Sequence, residues 1–191
     1  HLIKNVTLPT EDGTTQIDHI LVSRYGIFVI ETKNMKGWIY GSATQKQWTQ
    51  KIFKYTGRFQ NPLHQNYKHT KTLEKLLNVH HEHIHSVIVF VGDSTFKTKM
   101  PENVTYSGKC ITYIKSKITV VFSEKHVRDL IYGIEQIRLK RGLVTNLKHT
   151  AHVKKVVASK PASKSCAKCD SAMVLRQSKK GAHAGSQFWG C

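Results

Sequence analysis

Acidic residues are scarce in this sequence: 12 Asp and Glu stand against 30 Lys and Arg, a formal charge of +18 with histidine neutral. Such an imbalance excludes a strongly cationic partner and concentrates polyanions at the surface. Nucleic acid is the leading partner of that kind, and an anionic membrane surface is the other. The membrane reading is weakened by a second lack, because no basic amphipathic helix with a clean apolar face stands out. Long apolar runs are missing as well. No stretch reaches the roughly 18 apolar residues that a spanning helix needs. A disulfide framework is excluded by the placing of four cysteines, with Cys110 alone and Cys166, Cys169 and Cys191 crowded at the end. The pair Cys166-x-x-Cys169 points instead to metal in a reducing, cytoplasmic setting. The sequence opens on His1 and closes on Cys191, so a membrane tether is expected only through a segment upstream of these residues.

What is present is enough for one core and a small appendage. Leu2 to Leu8 reads as a strand, and Glu11-Asp12-Gly13-Thr14 as a turn. Gln16 to Arg24 and Ile27 to Lys33 read as two strands joined by a tight hairpin at Tyr25-Gly26. Gly37 to Gly41 and the stretch around Trp48 add β structure at a sheet edge. Asn61-Pro62 opens a helix in which Leu63, Tyr67, Thr70, Leu73, Leu76 and Leu77 recur at helical spacing. Ser86 to Val91 is a buried strand by its short β-branched run. Ile111 to Ile114 and Ile118 to Phe122 are weaker strand candidates, with Cys110 a small apolar residue in a strand. Ser123 opens a last helix bearing Val127, Leu130, Ile131, Ile134 and Ile137. This order predicts a mixed α/β domain around one sheet, over residues 1–140. Residues 141–165, rich in lysine, read as a basic linker, and residues 166–191 as a separate small module.

Charged residues inside apolar strands require a reason, since burying them unpaired is costly. Asp18 sits in Gln16-Ile17-Asp18-His19-Ile20, and Glu31 and Lys33 in Ile30-Glu31-Thr32-Lys33. Alternation puts Glu31 and Lys33 on one face. A two-residue loop at Tyr25-Gly26 pairs Arg24 with Ile27 and sets Asp18 opposite Lys33, so that all three converge. Two carboxylates so placed can hold a hard cation such as Mg²⁺ or Mn²⁺, which polarises a phosphodiester, while lysine stabilises the developing charge. A cluster of cross-strand ion pairs is the alternative use of the same residues. His80, His81, His83 and His85 read as a polar helix-to-strand loop.

The blocks Gln16 to Ile20, Gly26 to Asn34, Gly37-Trp38-Ile39 and Asn61-Pro62-Leu63-His64-Gln65-Asn66 together resemble the nuclease-related domain (NERD) family. That family is similar to the PD-(D/E)xK restriction-endonuclease-like superfamily. The resemblance implies an α/β restriction-endonuclease-like fold with a mixed sheet flanked by helices. It implies metal ligation by Asp18 and Glu31, a catalytic Lys33, and a supporting role for Gln65. The family usually carries a Gly-Glu pair on a helix ahead of the first strand, and that helix is absent from these residues.

At the other end, Cys166-Ala167-Lys168-Cys169 is half of a zinc knuckle, with Cys191 a third ligand for Zn²⁺. With Met173 to Arg176 and Phe188-Trp189-Gly190-Cys191, it resembles the C-terminal zinc-finger repeat of bacterial type I DNA topoisomerases. That resemblance implies a ribbon that binds single-stranded DNA. Phe188 and Trp189 would offer stacking faces, and Arg176, Lys179 and Lys180 phosphate contacts. No tyrosine-bearing cleavage domain accompanies it. The combined expectation is a bacterial metal-dependent deoxyribonuclease of DNA processing or repair, needing no small-molecule cofactor. A catalytically inactive DNA-binding adaptor and a membrane-tethered scaffold are the alternatives.

Overall fold

Most of the valine- and isoleucine-rich segments fold into the strands expected of them, and the computed structural model, which describes residues 1–139, 173–178 and 187–190, assembles them into sheets. The chain divides into two compact units, His1–His149 and Thr150–Cys191. In the first unit, β1 (Leu2–Thr10), β2 (Gly13–Ser23), β3 (Gly26–Asn34), β7 (Ile84–Val91) and β9 (Val104–Tyr106) form a five-stranded sheet in that order. The first three strands are antiparallel neighbours, and β3, β7 and β9 run parallel. A second sheet has the order β6 (Tyr55–Gln60), β5 (Gln47–Ile52), β4 (Gly37–Tyr40), β8 (Ser94–Phe96). One sheet was expected and two are described. The cause lies at Met35 and Lys36, where the chain leaves β3 and turns at Gly37 into a new ladder with β5 and β8.

Helix α1 (Pro62–Leu77) starts as its sequence dictates. Asn61 accepts from the Leu63 N–H at 2.9 Å, Pro62 fills the first turn, and Asn78 closes the helix in a left-handed conformation at φ 51°. Ser123 caps α3 (Glu124–Ile137) through the His126 N–H. Alternation in β2 and β3 sorts the core by face. Ile20, Val22, Ile27 and Val29 pack with Leu73 of α1 and Leu130 and Ile134 of α3. Phe28 and Ile30 point the other way, to Val87, Val89 and α2 (Ser107–Lys115). Ile111 to Ile114 therefore lie in a helix and not a strand, and Cys110 is buried on that helix, where its thiol packs under Phe28 and Val89. Residues 118–122 form no regular strand. The third parallel strand is instead the short β9, too brief to leave a periodic signal.

In the second unit, β10 (Val174–Gln177) and β11 (Gln187–Gly190) pair antiparallel, with Arg176 opposite Phe188 and Leu175 opposite Trp189. Cys166, Cys169, Lys179, Lys180 and Cys191, and the basic stretch 141–165, lie outside the described residues. Among the described residues no helix is long and apolar enough to cross a membrane.

Candidate functional site

The hairpin between β2 and β3 turns at Arg24-Tyr25, because Ser23 pairs with Gly26. The expected Tyr25-Gly26 turn is displaced by one residue. Gly26 has φ +128°, and a Cβ there would meet the His83 carbonyl and the His85 ring at 2.8 Å, so this position admits glycine but belongs to the ladder. The register consequently moves by two, Val22 pairing with Ile27 and His19 with Ile30. A shift of two leaves side chains on their original faces. The ladder stops there, so the expected pairing of Asp18 with Lys33 does not form. Asp18 instead uses Oδ2 to accept the Thr32 N–H at 2.8 Å, beside Glu31 and at the open end of the β2–β3 ladder.

Strict alternation also fails in β2 at this point. Ile17 and Ile20, three residues apart, both enter the α1-facing core, as do Ile3 and Val6 on β1. Asn5 and Asp18 are the step missing from the β1–β2 ladder, and Asn5 has φ +50°. The two strands turn together there, which frees the Asp18 carboxylate from the regular pleat.

Glu31 follows Ile27 and Val29 on the α1-facing side and is 4% exposed. Its Oε1 accepts from Lys33 Nζ at 2.7 Å and from Gln65 Nε2 at 2.8 Å, while Gln65 Oε1 accepts from the same ammonium at 2.8 Å. The three side chains close a ring of charge-assisted hydrogen bonds. Gln65 reaches it from α1, and two buried asparagines hold the helix in place. Asn61 Nδ2 donates to the carbonyls of Ser42, Ala43 and Gln45, pinning the β4–β5 loop to the start of the helix. Asn66 Nδ2 donates to the Val29 carbonyl at 2.9 Å and to Ser86 Oγ at 2.8 Å, tying α1 to β3 and β7.

His69, one helical turn beyond Gln65, completes the group and went unforeseen in the sequence. It is 5% exposed, its Nδ1 pairs with Thr15 Oγ1 at 2.8 Å, and its Nε2 lies 3.6 Å from Glu31 Oε2 with no hydrogen-bond partner of its own. The signal available was the i, i+4 spacing of Gln65 and His69, which puts both on the helix face turned to β3. Burial pushes the Glu31 carboxyl up, but the neighbouring His69 imidazole and Lys33 ammonium outweigh it and hold its pKa below the usual glutamate range. Glu31 is therefore an anion at neutral pH despite its burial.

The histidines after α1 do not gather into a centre. His81 pairs with Glu74 at 2.7 Å, and His85 packs against Phe28. Among the described residues no group of three or more His, Cys, Asp and Glu side chains is arranged to hold a metal. Magnesium does not require one, since one or two carboxylates suffice when phosphate and water complete its shell. Asp18 and Glu31 each carry the hard carboxylate oxygens that such an ion takes.

A segment of 78 residues is 56% identical to an uncharacterized protein of Bacillus anthracis, covering 40% of this chain and 37% of that protein, so the chain matches little more than a third of its relative's length. No solved structure matches. The mixed α/β architecture, with mixed sheets flanked by helices, is consistent with a nuclease-like fold. Residues 1–91, the span that carries Asp18, Glu31, Lys33 and Gln65, match the family model of the nuclease-related domain.

Proposed function

We propose that this protein binds DNA and hydrolyses its phosphodiester bonds with the help of Mg²⁺ or Mn²⁺ at Asp18 and Glu31, on a restriction-endonuclease-like domain. The observation that carries the reading is the ring formed by Glu31, Lys33 and Gln65, with its cation shared between a carboxylate and an amide. A structural ion pair would need only the carboxylate. Such a metal supplies Lewis-acid polarisation of the phosphodiester. Lys33 has three N–H donors, of which Glu31 and Gln65 take two, so one remains for a phosphate oxygen as charge builds on it. Gln65 orients that ammonium. His69 and Lys33 keep Glu31 ionised, and the apolar flanks hold it in place.

The test incubates the full-length protein with single- and double-stranded DNA, in Mg²⁺ or in EDTA, beside Glu31→Ala and Lys33→Ala. Cleavage that needs the metal and falls by roughly 100-fold or more in both variants supports the reading. Equal cleavage by all three assigns it elsewhere. Binding without cleavage leaves a DNA-binding adaptor.

The proposal extends to a zinc ribbon in residues 166–191, with Cys166, Cys169 and Cys191 as ligands and DNA as its target. In its favour, Arg176 and Phe188 are cross-strand partners and both exposed, a cation beside a stacking face. Trp189, Lys179 and Lys180 would add to that contact. Zinc analysis of the intact chain tests this part, with loss of the ion expected in Cys166→Ser.

A further inference from the structure

The four-stranded sheet contributes nothing to the ring at Glu31, yet its outer face is composed in an unusual way. β4 and β5 pair Trp38 with Lys51, and Trp38 also lies beside Thr95 of β8. Trp38 is 46% exposed, while its neighbour Ile39 is wholly buried with Trp48 and Phe90 beneath the sheet. Two ammonium groups flank the indole, Lys97 Nζ at 4.6 Å and Lys51 Nζ at 6.0 Å from the ring centre. Gly37 allows this close approach, since a Cβ there would stand 2.4 Å from the Lys51 carbonyl.

The turn between β5 and β6 adds a second ring. Phe53 is 94% exposed at the hairpin tip and has φ +49°, a conformation that a bulky residue adopts only at a cost. Glycine or asparagine would be ordinary there. The core gains nothing from Phe53, so the strain and the exposure call for another use. Between the two rings lies a recess of about 540 Å³, lined by Trp38, Phe53, Ile52, Lys36, Lys51 and Asp93.

We infer that this face is a binding platform for single-stranded DNA, in which a base enters the recess between Trp38 and Phe53 while Lys51, Lys97 and Lys36 hold the adjoining phosphates. A flat ring in a recess rimmed by cations suits a base, which has two π-faces and a phosphate on either side. Asp93 repels phosphate from the interior and can accept a hydrogen bond from a base amino group. An anionic lipid surface would want several apolar groups at a protruding tip, with cations behind them. Here Phe53 stands at the tip, but Trp38 lies mid-sheet with Lys51 and Lys97 about its ring. Trp38 is five residues from Lys33, so the two lie within about 18 Å along the chain. A strand held here can reach the Glu31 ring. The inference takes from the preceding reading only that the ligand is DNA, and it does not require hydrolysis.

The test uses the full chain carrying Trp189→Phe and Glu31→Ala in EDTA, which separates binding from cleavage. Trp38 is then the one exposed tryptophan, since Trp48 is buried. A 12-nucleotide thymidine oligomer is expected to quench the fluorescence, and Trp38→Ala to abolish the quench. Phe53→Gly should move its midpoint to about fivefold or more higher oligomer concentration, the lower bound for one stacking ring. Lys51→Gln should reduce the salt slope by about one. Lack of quenching, or a midpoint unmoved by Phe53→Gly, overturns the inference, because DNA held by the basic tail alone leaves Trp38 unaffected. Equal binding of a 12-base-pair duplex overturns the single-strand assignment. Quenching by phosphatidylserine vesicles and not by the oligomer replaces DNA with a membrane. A quench that persists in a protein without nuclease activity keeps this inference and removes the catalytic one.

Discussion

On the five-stranded sheet Glu31 is 4% exposed among valines and isoleucines, whereas on the four-stranded sheet, which begins four residues after Lys33, Trp38 is 46% and Phe53 94% exposed. One region places charge in the interior and the other places aromatic rings in water. Each reverses the ordinary preference, so each has a cost to stability that packing does not offset. The buried ion is stabilised by partners, and the exposed rings have none within the core. The difference teaches where to look for two separate tasks: preorganised charge on the inner sheet and a stacking surface on the outer one.

Breaking the inner arrangement should have the largest effect. Lys33→Ala leaves Glu31 buried without its cation, at a cost on the order of 3 kcal/mol in urea denaturation. The figure sits at the low end for a broken buried pair because the Lys33 side chain is 20% exposed. The double variant Glu31→Gln with Lys33→Met should lose less than Lys33→Ala, since no uncompensated ion remains. An additive loss in the pair would contradict the ring of bonds.

Asn61→Ala comes next. It removes the donor for three loop carbonyls and the cap of α1, at about 2 kcal/mol by thermal denaturation. Gln65 stands in the first turn that Asn61 caps, so under the proposed reading cleavage in Mg²⁺ should fall along with stability.

The pH dependence is gentler and sharpens the same contrast. The Glu31 pKa is lowered in the folded protein, so its stabilisation is complete above the unfolded value near 4.5 and is lost as pH falls through the lower folded value. Burial pushes the His85 pKa below 6.5 against a hydrogen bond to the Tyr25 carbonyl, and the Lys117 ammonium acts in the same direction as burial. The unfolded chain then protonates His85 first, and stability begins to decline as pH drops through about 6.5. Acid titration of the melting temperature should show both phases. Glu31→Gln should flatten the part below pH 4.5 and leave the upper phase.

Phe53→Gly should change stability least. Relief of the positive φ favours glycine by about 1 kcal/mol, partly offset by the flexibility it adds to the unfolded chain. Stability should rise slightly or stay level in a thermal melt while oligomer binding weakens. A loss of stability would mean that Phe53 packs somewhere and is not reserved for a ligand.

Much of this was legible in the residues. The caps at Asn61 and Ser123, the strand core Ser86 to Val91 and the common face of Glu31 and Lys33 follow from local rules that act over one turn or one pleat. The hairpin turn was misplaced by one residue because Arg24-Tyr25 lacks the usual turn residues and Gly26 drew attention to itself. What excluded the alternative was the close approach of His83 and His85, a contact about 60 residues away in sequence. Ile111 to Ile114 is too short for periodicity to separate strand from helix, and its packing under β7 and β9 made the choice.

The sequence by itself determined which strands carry the charges, that Glu31 and Lys33 share a face, and that the chain as a whole attracts polyanions. Alternation, capping chemistry and net charge are properties of neighbours and of sums, and they need no coordinates. The tertiary structure alone decided that Asp18 leaves the pleat to take the Thr32 N–H, that His69 faces Glu31, and that Trp38 and Phe53 stand on either side of a recess. Those relations join residues 14, 38 and 15 positions apart, and only the packing of helix on sheet and strand on strand closes such distances.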